Sequence, residues 1–584
     1  MINSMPPSLL LILGAFLIPF LRGNVLKTYV FFLPVVSFIN MINLGHGSHF
    51  VLPFLEYDLV LAHVDRLSFI FGVIFHIILL LTIIYGFHQE DRVLYFTCCI
   101  YGAAAIGVTF AGDMFSLFVF WELLTVTAAI LIWKRRTKAS QEAGFRYFLV
   151  HAAGGLVLLA GFFLRLHETG SLAFDGVIGL EGLSSYLIFI GFGVNCAWPL
   201  LHNWLVDAYP ESSIVGSVAL AAFTTKVAVY TLARAYPGTD VLIWIGAVMA
   251  AFPIFYAVIE NDLRRVLAYS LINQVGFMVV GIGVGTNMAL NGAVAHAFAH
   301  ILYKGLLFMS MGAVLFRTGR INATALGGLY KSMPLTCLFC IVGAASISAF
   351  PLFSGFVSKS MVMDSLVYEK IRIVWFILLF ASAGVFHHAG IKIPFFAFFS
   401  HDQGIRCKEA PMNMLIAMGI TAFLCVFIGC YPYPLYQYLP FPVEYEPYTA
   451  SHVISQLQLL FFSALAFCLL LLGGVYPAEI RSTNLDFDWF YRKGSGLAYA
   501  VADRTFNTIN NVADRVIVRG VTPAVNRFFR NAPLRLSLLV LAPFLSEDRR
   551  DRFERAFEAG VSPLGISVAA ATLSLFAVVL FSLL

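Results

Sequence analysis

In the stretch HAFAHILYKGLLFM, His296, His300 and Lys304 follow one another at four-residue intervals within apolar company. On a helix, residues at i, i+4 and i+8 share a face that drifts by about 40° per step and covers about 12 Å. Imidazole titrates near pH ~6.5, and a buried lysine changes protonation readily, so such a file can pass protons along a hydrated path. Other chemistry is open to the same residues. His296 and His300 could form an i, i+4 metal site, although no carboxylate or thiol stands nearby in the sequence. They cannot clasp one haem from opposite faces, because both project from one side; a haem would need His387 or His388 as well. Single residues could also serve structure alone, by snorkelling or pairing, and this applies to Lys304 and Lys359 in particular.

Three further ionisable groups lie within apolar runs: Glu122 in LFVFWELLTV, Lys226 in ALAAFTTKVAVYTL and Lys359 in SAFPLFSGFVSKSMV. A charge at the centre of a bilayer costs at least about 2.5–3.5 kcal/mol, so each needs a physical reason. Pro351 and Gly355 interrupt the helix just before Lys359. A broken helix leaves carbonyls unpaired, tolerable only against protein or a hydrated cavity, and an ionisable group beside it suits an ion site. Glu122 and Lys226 have apolar turns on both sides, which leaves little room for snorkelling. His151 reads equally as a hydrogen-bonded core histidine or as a relay member.

The surroundings of these groups are set by composition. Of 584 residues, 60% are apolar and 12% charged, with mean hydropathy +0.85; a soluble chain carries roughly 25% charged residues. Runs such as 67–87 and 115–133 match the roughly 20 residues that cross a bilayer core as helix. About sixteen candidate spans can be counted, so the predicted class is an all-α polytopic membrane protein with discontinuous helices. The first run, PSLLLILGAFLIPFL, reads as a retained span, since no basic n-region or small-residue cleavage site accompanies it. Basic residues gather in alternate loops: KRRTK at 134–138, Arg264 and Arg265, Arg317, Arg320 and Lys331, then Arg406 and Lys408. By the positive-inside rule those loops are cytoplasmic and both termini lie outside the cytoplasm. The net charge of +5 therefore says nothing about nucleic acid. The nine cysteines form no ligand pattern: Cys337 and Cys340 lie in an apolar run, and Cys98 and Cys99 are adjacent. Buried thiols are the simplest reading, and neither cofactor nor metal is expected.

The expected organisation is N-terminal helices at 1–93, a first repeat at 94–236, a second at 241–400, C-terminal helices at 412–474, a surface segment at 476–561 and a final anchor at 562–584. In the surface segment Ile509, Val512 and Val516 recur at helical spacing among Arg504, Asp514 and Arg515. That pattern predicts a basic amphipathic helix on the cytoplasmic face of the membrane, the alternative being a loosely packed loop.

Several stretches together carry a resemblance: GDMFSLFVFWELLT, LHNWLVDAYPE, AAFTTKVAVYTLAR, ENDLRRVLAYSLINQVGFM, HAFAHILYKGLLFM, LGGLYKSMP and SGFVSKSM. Across about 60–400 the chain resembles the antiporter-like membrane subunits shared by respiratory complex I and Mrp-type multisubunit Na+/H+ antiporters, in the latter the D/A-like kind. The resemblance implies two inverted five-helix repeats, each forming a half-channel, and a central row of buried charges that conducts protons. Glu122 falls on the family's modulating glutamate, Lys226 on its bridging lysine, His296, His300 and Lys304 on the central relay, and Lys359 on the lysine at the break facing the exit side. One position departs. The family usually places a lysine nine residues before the tryptophan that is Trp204 here, and Asn195 occupies that place. The tryptophan's motif also differs: its proline is displaced by one residue, and Val206 replaces the second. Asparagine can hydrogen-bond a water file but cannot carry a proton as a cation. Either Glu122 pairs with Lys226 instead, or desolvation holds it neutral. Asn195 and His151 are thus candidates for a water file or a modified site.

The resulting expectation is a proton-translocating subunit of a multisubunit membrane complex, with monovalent cation (Na+)/proton antiport as the leading reading. It is expected in the bacterial inner membrane, with other membrane subunits as partners and without nucleic acid. One alternative is a proton conductor within a complex, driven by a redox or CO2-hydrating partner. Another is a non-conducting assembly scaffold. Catalysis by this chain alone is disfavoured, since it shows no nucleotide loop and no cluster-ligand cysteines.

Overall fold

A computed structural model describes residues 5–477, 480 and 484–560. It divides into two units, Met1–Asp486 and Phe487–Leu584.

In the first unit, short polar residues decide where helices begin. After α1 (Pro7–Ala15) and α2 (Gly23–Asn43), the chain forms an antiparallel hairpin of β1 (Gly47–Phe54) and β2 (Tyr57–Val64), with Gly47 opposite Val64. An all-α expectation leaves no place for this hairpin, which is a correction to it. Asp65 and Ser68 form a capping box that opens α3 (Arg66–Gly86). Asp91 opens α4 (Arg92–Phe110), and Asp113 opens α5 (Met114–Trp133). Each carboxylate accepts a bond from a first-turn N–H that has no partner inside its helix. α6 (Lys138–Thr169) begins on a Thr137–Ser140 capping box and stops at Gly170, which has a φ of 69°.

The apolar run 186–204, one of the candidate spans by sequence, is divided between two pieces, α7 (Gly182–Asn195) and α8 (Asn203–Glu211). Between them Ala197 and Leu200, on either side of Trp198-Pro199, take left-handed φ values of 60° and 72°. The candidate span 212–236 that follows it in the sequence is likewise divided at Phe223, into α9 (Ile214–Ala222) and α10 (Thr224–Ala235). Then come α11 (Asp240–Ile259), α12 (Leu263–Val284) and α13 (Asn287–Thr318). Backbone contact between α11 and α12 is close enough that a Cβ on Gly276 would stand 2.5 Å from the Ala250 nitrogen. Only glycine permits that approach.

A second break divides α14 (Pro334–Ile347) from α15 (Ser354–Tyr368), as Pro351 suggested. Ala349 and Leu352 adopt φ values of 56° and 74°. The two breaks therefore share both a sequence, AWPL and AFPL, and a backbone conformation. Two isolated β-bridges are also alike: Asp113 pairs with Ala173 and Asp262 with Asn322, and both aspartates cap helices. α16 (Arg372–Val385) runs on into π-helical turns at Phe386–Lys392 and Phe395–Phe399. α17 (Met412–Cys430), the short α18 (Tyr433–Tyr436) and α19 (Ala450–Leu472) follow.

Among the described residues, 12 helices are long and apolar enough to cross a membrane, and shorter apolar helices occupy Pro7–Phe20, Gly182–Asn195 and Pro334–Ile347. Burial ranks them. The apolar window of α12 is 100% buried and that of α13 is 89%, against 11% for α19. The titratable residues singled out above thus ride mainly on the innermost helices.

In the second unit α20 (Asp488–Ala513) continues through a π-helical run at Asp514–Val521 into α21 (Thr522–Leu541), with α22 (Glu547–Gly560) beyond. This segment is helical rather than a loose loop, and Ile509, Val512 and Val516 are exposed on it. The expected anchor at 562–584 lies outside the described residues.

Candidate functional site

α13 presents His296, His300 and Lys304 to the molecular interior, and all three are wholly buried. Hydrogen bonds tie the file to its neighbours. His296 Nδ1 is 3.1 Å from Ser358 Oγ on α15, and its Nε2 is 3.3 Å from the Tyr303 hydroxyl. Tyr303 in turn donates to Gln274 Oε1 at 3.2 Å. Lys304 Nζ donates to Ser270 Oγ at 2.6 Å. His300 packs edge-on against Tyr303, with ring centroids 5.2 Å apart, and neither of its nitrogens has a protein partner. A buried polar atom left unpaired by protein is costly, and water or a moving proton is the usual reason for keeping one.

Lys226 and Lys359 extend the file from both sides. Lys226 follows the break at Phe223, and its Nζ donates to the freed Ala221 carbonyl at 2.6 Å and to Thr225 Oγ1 at 3.1 Å. Lys359 Nζ stands 4.8 Å above the centre of the Phe277 ring and 3.5 Å from the Ile347 carbonyl, at the second break. Among the described residues, no carboxylate lies within ion-pair distance of Lys226, Lys304 or Lys359. Backbone oxygens, hydroxyls and a ring face hold these amines instead; a cation over an aromatic face gains about 0.5–2 kcal/mol. The five groups are near enough to act on one another electrostatically: His300 lies in range of Lys226, Lys304, His296 and Lys359. A cavity of about 350 Å³ runs from the buried Lys359, past Asp364 and His452, to exposed Val367 and Ser451. One end of the file therefore opens onto a partly polar space.

Glu122 stands apart from the file. It makes no ion pair with Lys226; that amine is already engaged by Ala221 and Thr225, and Glu122 lies instead over α6, where a Cβ on Gly155 would collide with its Oε1. Of the two arrangements expected for this carboxylate, direct pairing with Lys226 is not formed. Beside it, His151 Nδ1 meets Asn195 Oδ1 at 2.8 Å, both residues being fully buried.

Several members of the site were not singled out from sequence. Ser270, Gln274 and Phe277 share one face of α12, and Ser358 and Tyr303 adjoin residues that were named. Their i, i+4, i+7 spacing along LAYSLINQVGFM was the available signal. His388 was considered only as a haem ligand. It is wholly buried on the π-helical turn, beside the Gly384 backbone and within electrostatic range of Lys304 and Lys392.

Residues 111–386 match the family described as NADH:quinone oxidoreductase/Mrp antiporter, transmembrane. The chain is 30% identical over 380 residues to hydrogenase-4 component B of Escherichia coli K12, covering 56% of each chain. It is 28% identical over 487 residues to the A component of the Na(+)/H(+) antiporter of Alkalihalophilus pseudofirmus, covering 73% of this chain and 60% of that one. It thus spans a little over half the length of these relatives. A chain of the membrane-bound sulfane sulfur reductase, an archaeal respiratory membrane complex, superposes with a TM-score of 0.72 at 21% identity, covering 93% of this chain and all of that one. These similar proteins are subunits of multisubunit membrane complexes, and this chain is an integral membrane protein. Residues 111–386, which frame the buried lysine–histidine file, thus carry the match to the family of membrane subunits shared by complex I and Mrp-type antiporters.

Proposed function

We propose that this chain moves protons as one subunit of a multisubunit membrane complex, and exchanges them for a monovalent cation such as Na+. The observation that carries the reading is the set of buried groups Lys226, His296, His300, Lys304 and Lys359, within electrostatic range of His300, with the amines and His296 bonded only to neutral partners and Lys359 lining a cavity. Amines and imidazoles without carboxylate partners keep their protons loosely enough to pass them on, whereas tight ion pairs would fix them.

In this reading 94–236 and 241–400 form two inverted repeats, each with a helix broken at an Ala-aromatic-Pro-Leu turn. The paired bridges at Asp113 and Asp262 and the like-folded breaks at AWPL and AFPL support it. Lys226 bridges the halves, and Lys359 faces the exit. The basic loops lie in the cytoplasm, the termini lie across the inner membrane from it, and the surface helix of the second unit rests on the cytoplasmic face. The similarity to a component of an Na(+)/H(+) antiporter favours Na+ as the counter-ion.

The decisive measurement uses the assembly that co-purifies with the tagged chain, reconstituted in proteoliposomes with a pH-sensitive dye. Added Na+ should drive proton movement, and Lys359→Ala or the pair His300→Ala and Lys304→Ala should abolish it with assembly intact. Undiminished proton movement in well-assembled variants would remove the file from the mechanism. Similarity to a hydrogenase-4 component favours a second reading, a proton path driven by a redox partner. Flux indifferent to Na+, together with a co-purifying module bearing metal clusters, would select it.

A further inference from the structure

We propose that His151 is the proton-carrying residue of the first half of the molecule, with Glu122 as its carboxylate partner and Asn195 as the group that orients its ring. This rests on the proton-translocating reading above and assigns its first-half site.

His151 and Gly155 lie one turn apart on the same face of α6. The Glu122 carboxylate is seated over Gly155, in space that any side chain there would fill. Residues at i and i+4 on a helix have Cβ positions about 5–6 Å apart, so the carboxylate is seated one turn along the helix face that carries His151. The ring itself is fixed. Tyr147 stacks on it at 4.0 Å between centroids, and Trp204 meets it edge-on at 4.4 Å while donating from Nε1 to the Val194 carbonyl at 3.0 Å. With Asn195 Oδ1 accepting from the Nδ1 hydrogen, the free lone pair falls on Nε2. That nitrogen, Asn195 Nδ2 and Glu122 Oε1 are three buried polar atoms that no protein group satisfies. A purely structural core histidine would have both nitrogens paired.

The internal register agrees. The shift that carries Asp113 onto Asp262 and Ala173 onto Asn322 also carries His151 onto His300 and Gly155 onto Lys304. His151 thus occupies in α6 the place that His300 holds in α13. Where the second half adds a lysine one turn on, the first half leaves a gap, and a carboxylate from α5 reaches into it.

The test uses the same reconstituted assembly. His151→Gln keeps the hydrogen bond to Asn195 but cannot take up a proton; proton flux should fall by at least about tenfold. In His151→Gln with Asn195→Lys, a titratable amine returns to the other end of the 2.8 Å contact, and much of the flux should come back. Flux within about twofold of wild type in assembled His151→Gln overturns the proposal. If that variant does not assemble, Asn195→Leu decides: it leaves the imidazole in place but removes its orienting acceptor. A displaced pH profile of flux supports the role, and an unchanged profile overturns it. Lys359→Ala serves as control. Flux lost there but kept in His151→Gln sinks this inference alone; flux kept in both sinks the translocation reading as well.

Discussion

His296 Nδ1 and Ser358 Oγ stand 3.1 Å apart, joining the central histidine to the residue directly before Lys359. Through this contact the unbroken α13 and the broken helix pair α14–α15 share one buried polar junction. Ser358 Oγ also lies 3.1 Å from the Ser354 carbonyl, so its hydroxyl is well placed to donate to the backbone and accept from His296.

Ser358→Ala should therefore slow proton transfer without stopping it. One neutral hydrogen bond contributes about 0.5–1.5 kcal/mol, which corresponds to a roughly two- to tenfold fall in flux. Proteoliposome flux, normalised to assembled complex, checks this. A complete loss would mean that the hydroxyl itself carries the proton, and no change would mean that the contact is incidental.

Lys392 should prove structural. Its Nζ donates to the carbonyls of Ala257 at 3.3 Å, Val258 at 2.7 Å and Glu260 at 2.7 Å, satisfying the last turn of α11, which has no continuing helix to do so. Lys392→Met should lower stability by about 2 kcal/mol, read as an earlier thermal transition in detergent. Flux per assembled complex should fall far less than it does in Lys359→Ala.

Arg234 should anchor one end of α10. Its Nη2 donates to Asp65 Oδ2 at 2.7 Å and its Nε to the Tyr230 hydroxyl at 2.9 Å, with the guanidinium carbon 5.2 Å from that ring's centre. Asp65 is about one-third exposed, so Asp65→Asn should cost only about 1–2 kcal/mol. Arg234→Met should cost more, because it also removes the donor to the Tyr230 hydroxyl and the cation over its ring. Thermal denaturation of both single variants and of the double variant would give the coupling, and strict additivity would show that the pair contributes nothing jointly.

The placement of charges is more legible in the sequence than the geometry that holds them. His296, His300, Lys304, Lys226 and Lys359 stand out because a bilayer makes ionisable side chains expensive, and Pro351 marks a break because proline cannot complete a helical ladder. The equivalent break at 196–202 is hidden. Pro199 is the same cue, but AWPLL reads as more apolar span, and in both breaks the left-handed turns fall on an alanine and a leucine, residues that carry no such signal. The hairpin escapes a search that uses length to find spans, since YDLVLAHV is too short to register. Glu122 does not touch the lysine expected for it, because sequence shows that a charge is buried but not which neighbour receives it. Ser270 and Ser358 go unnoticed for a related reason: a serine within a span is cheap, and only the lysine or histidine opposite gives it significance.

The break before Lys359 has an electrostatic consequence. Stopping α14 at Ile347 and restarting at Ser354 turns the interior of a would-be span into two helix ends. The aligned peptide dipoles of α14 sum to roughly half a negative elementary charge at its C-terminal end. Lys359 Nζ lies 3.5 Å from the Ile347 carbonyl oxygen at that end. Uncharged main chain thus supplies the counter-charge that an aspartate or glutamate would otherwise provide. Because such a counter-charge has no proton of its own to bind or release, the ammonium can discharge and recharge without a second titration interfering.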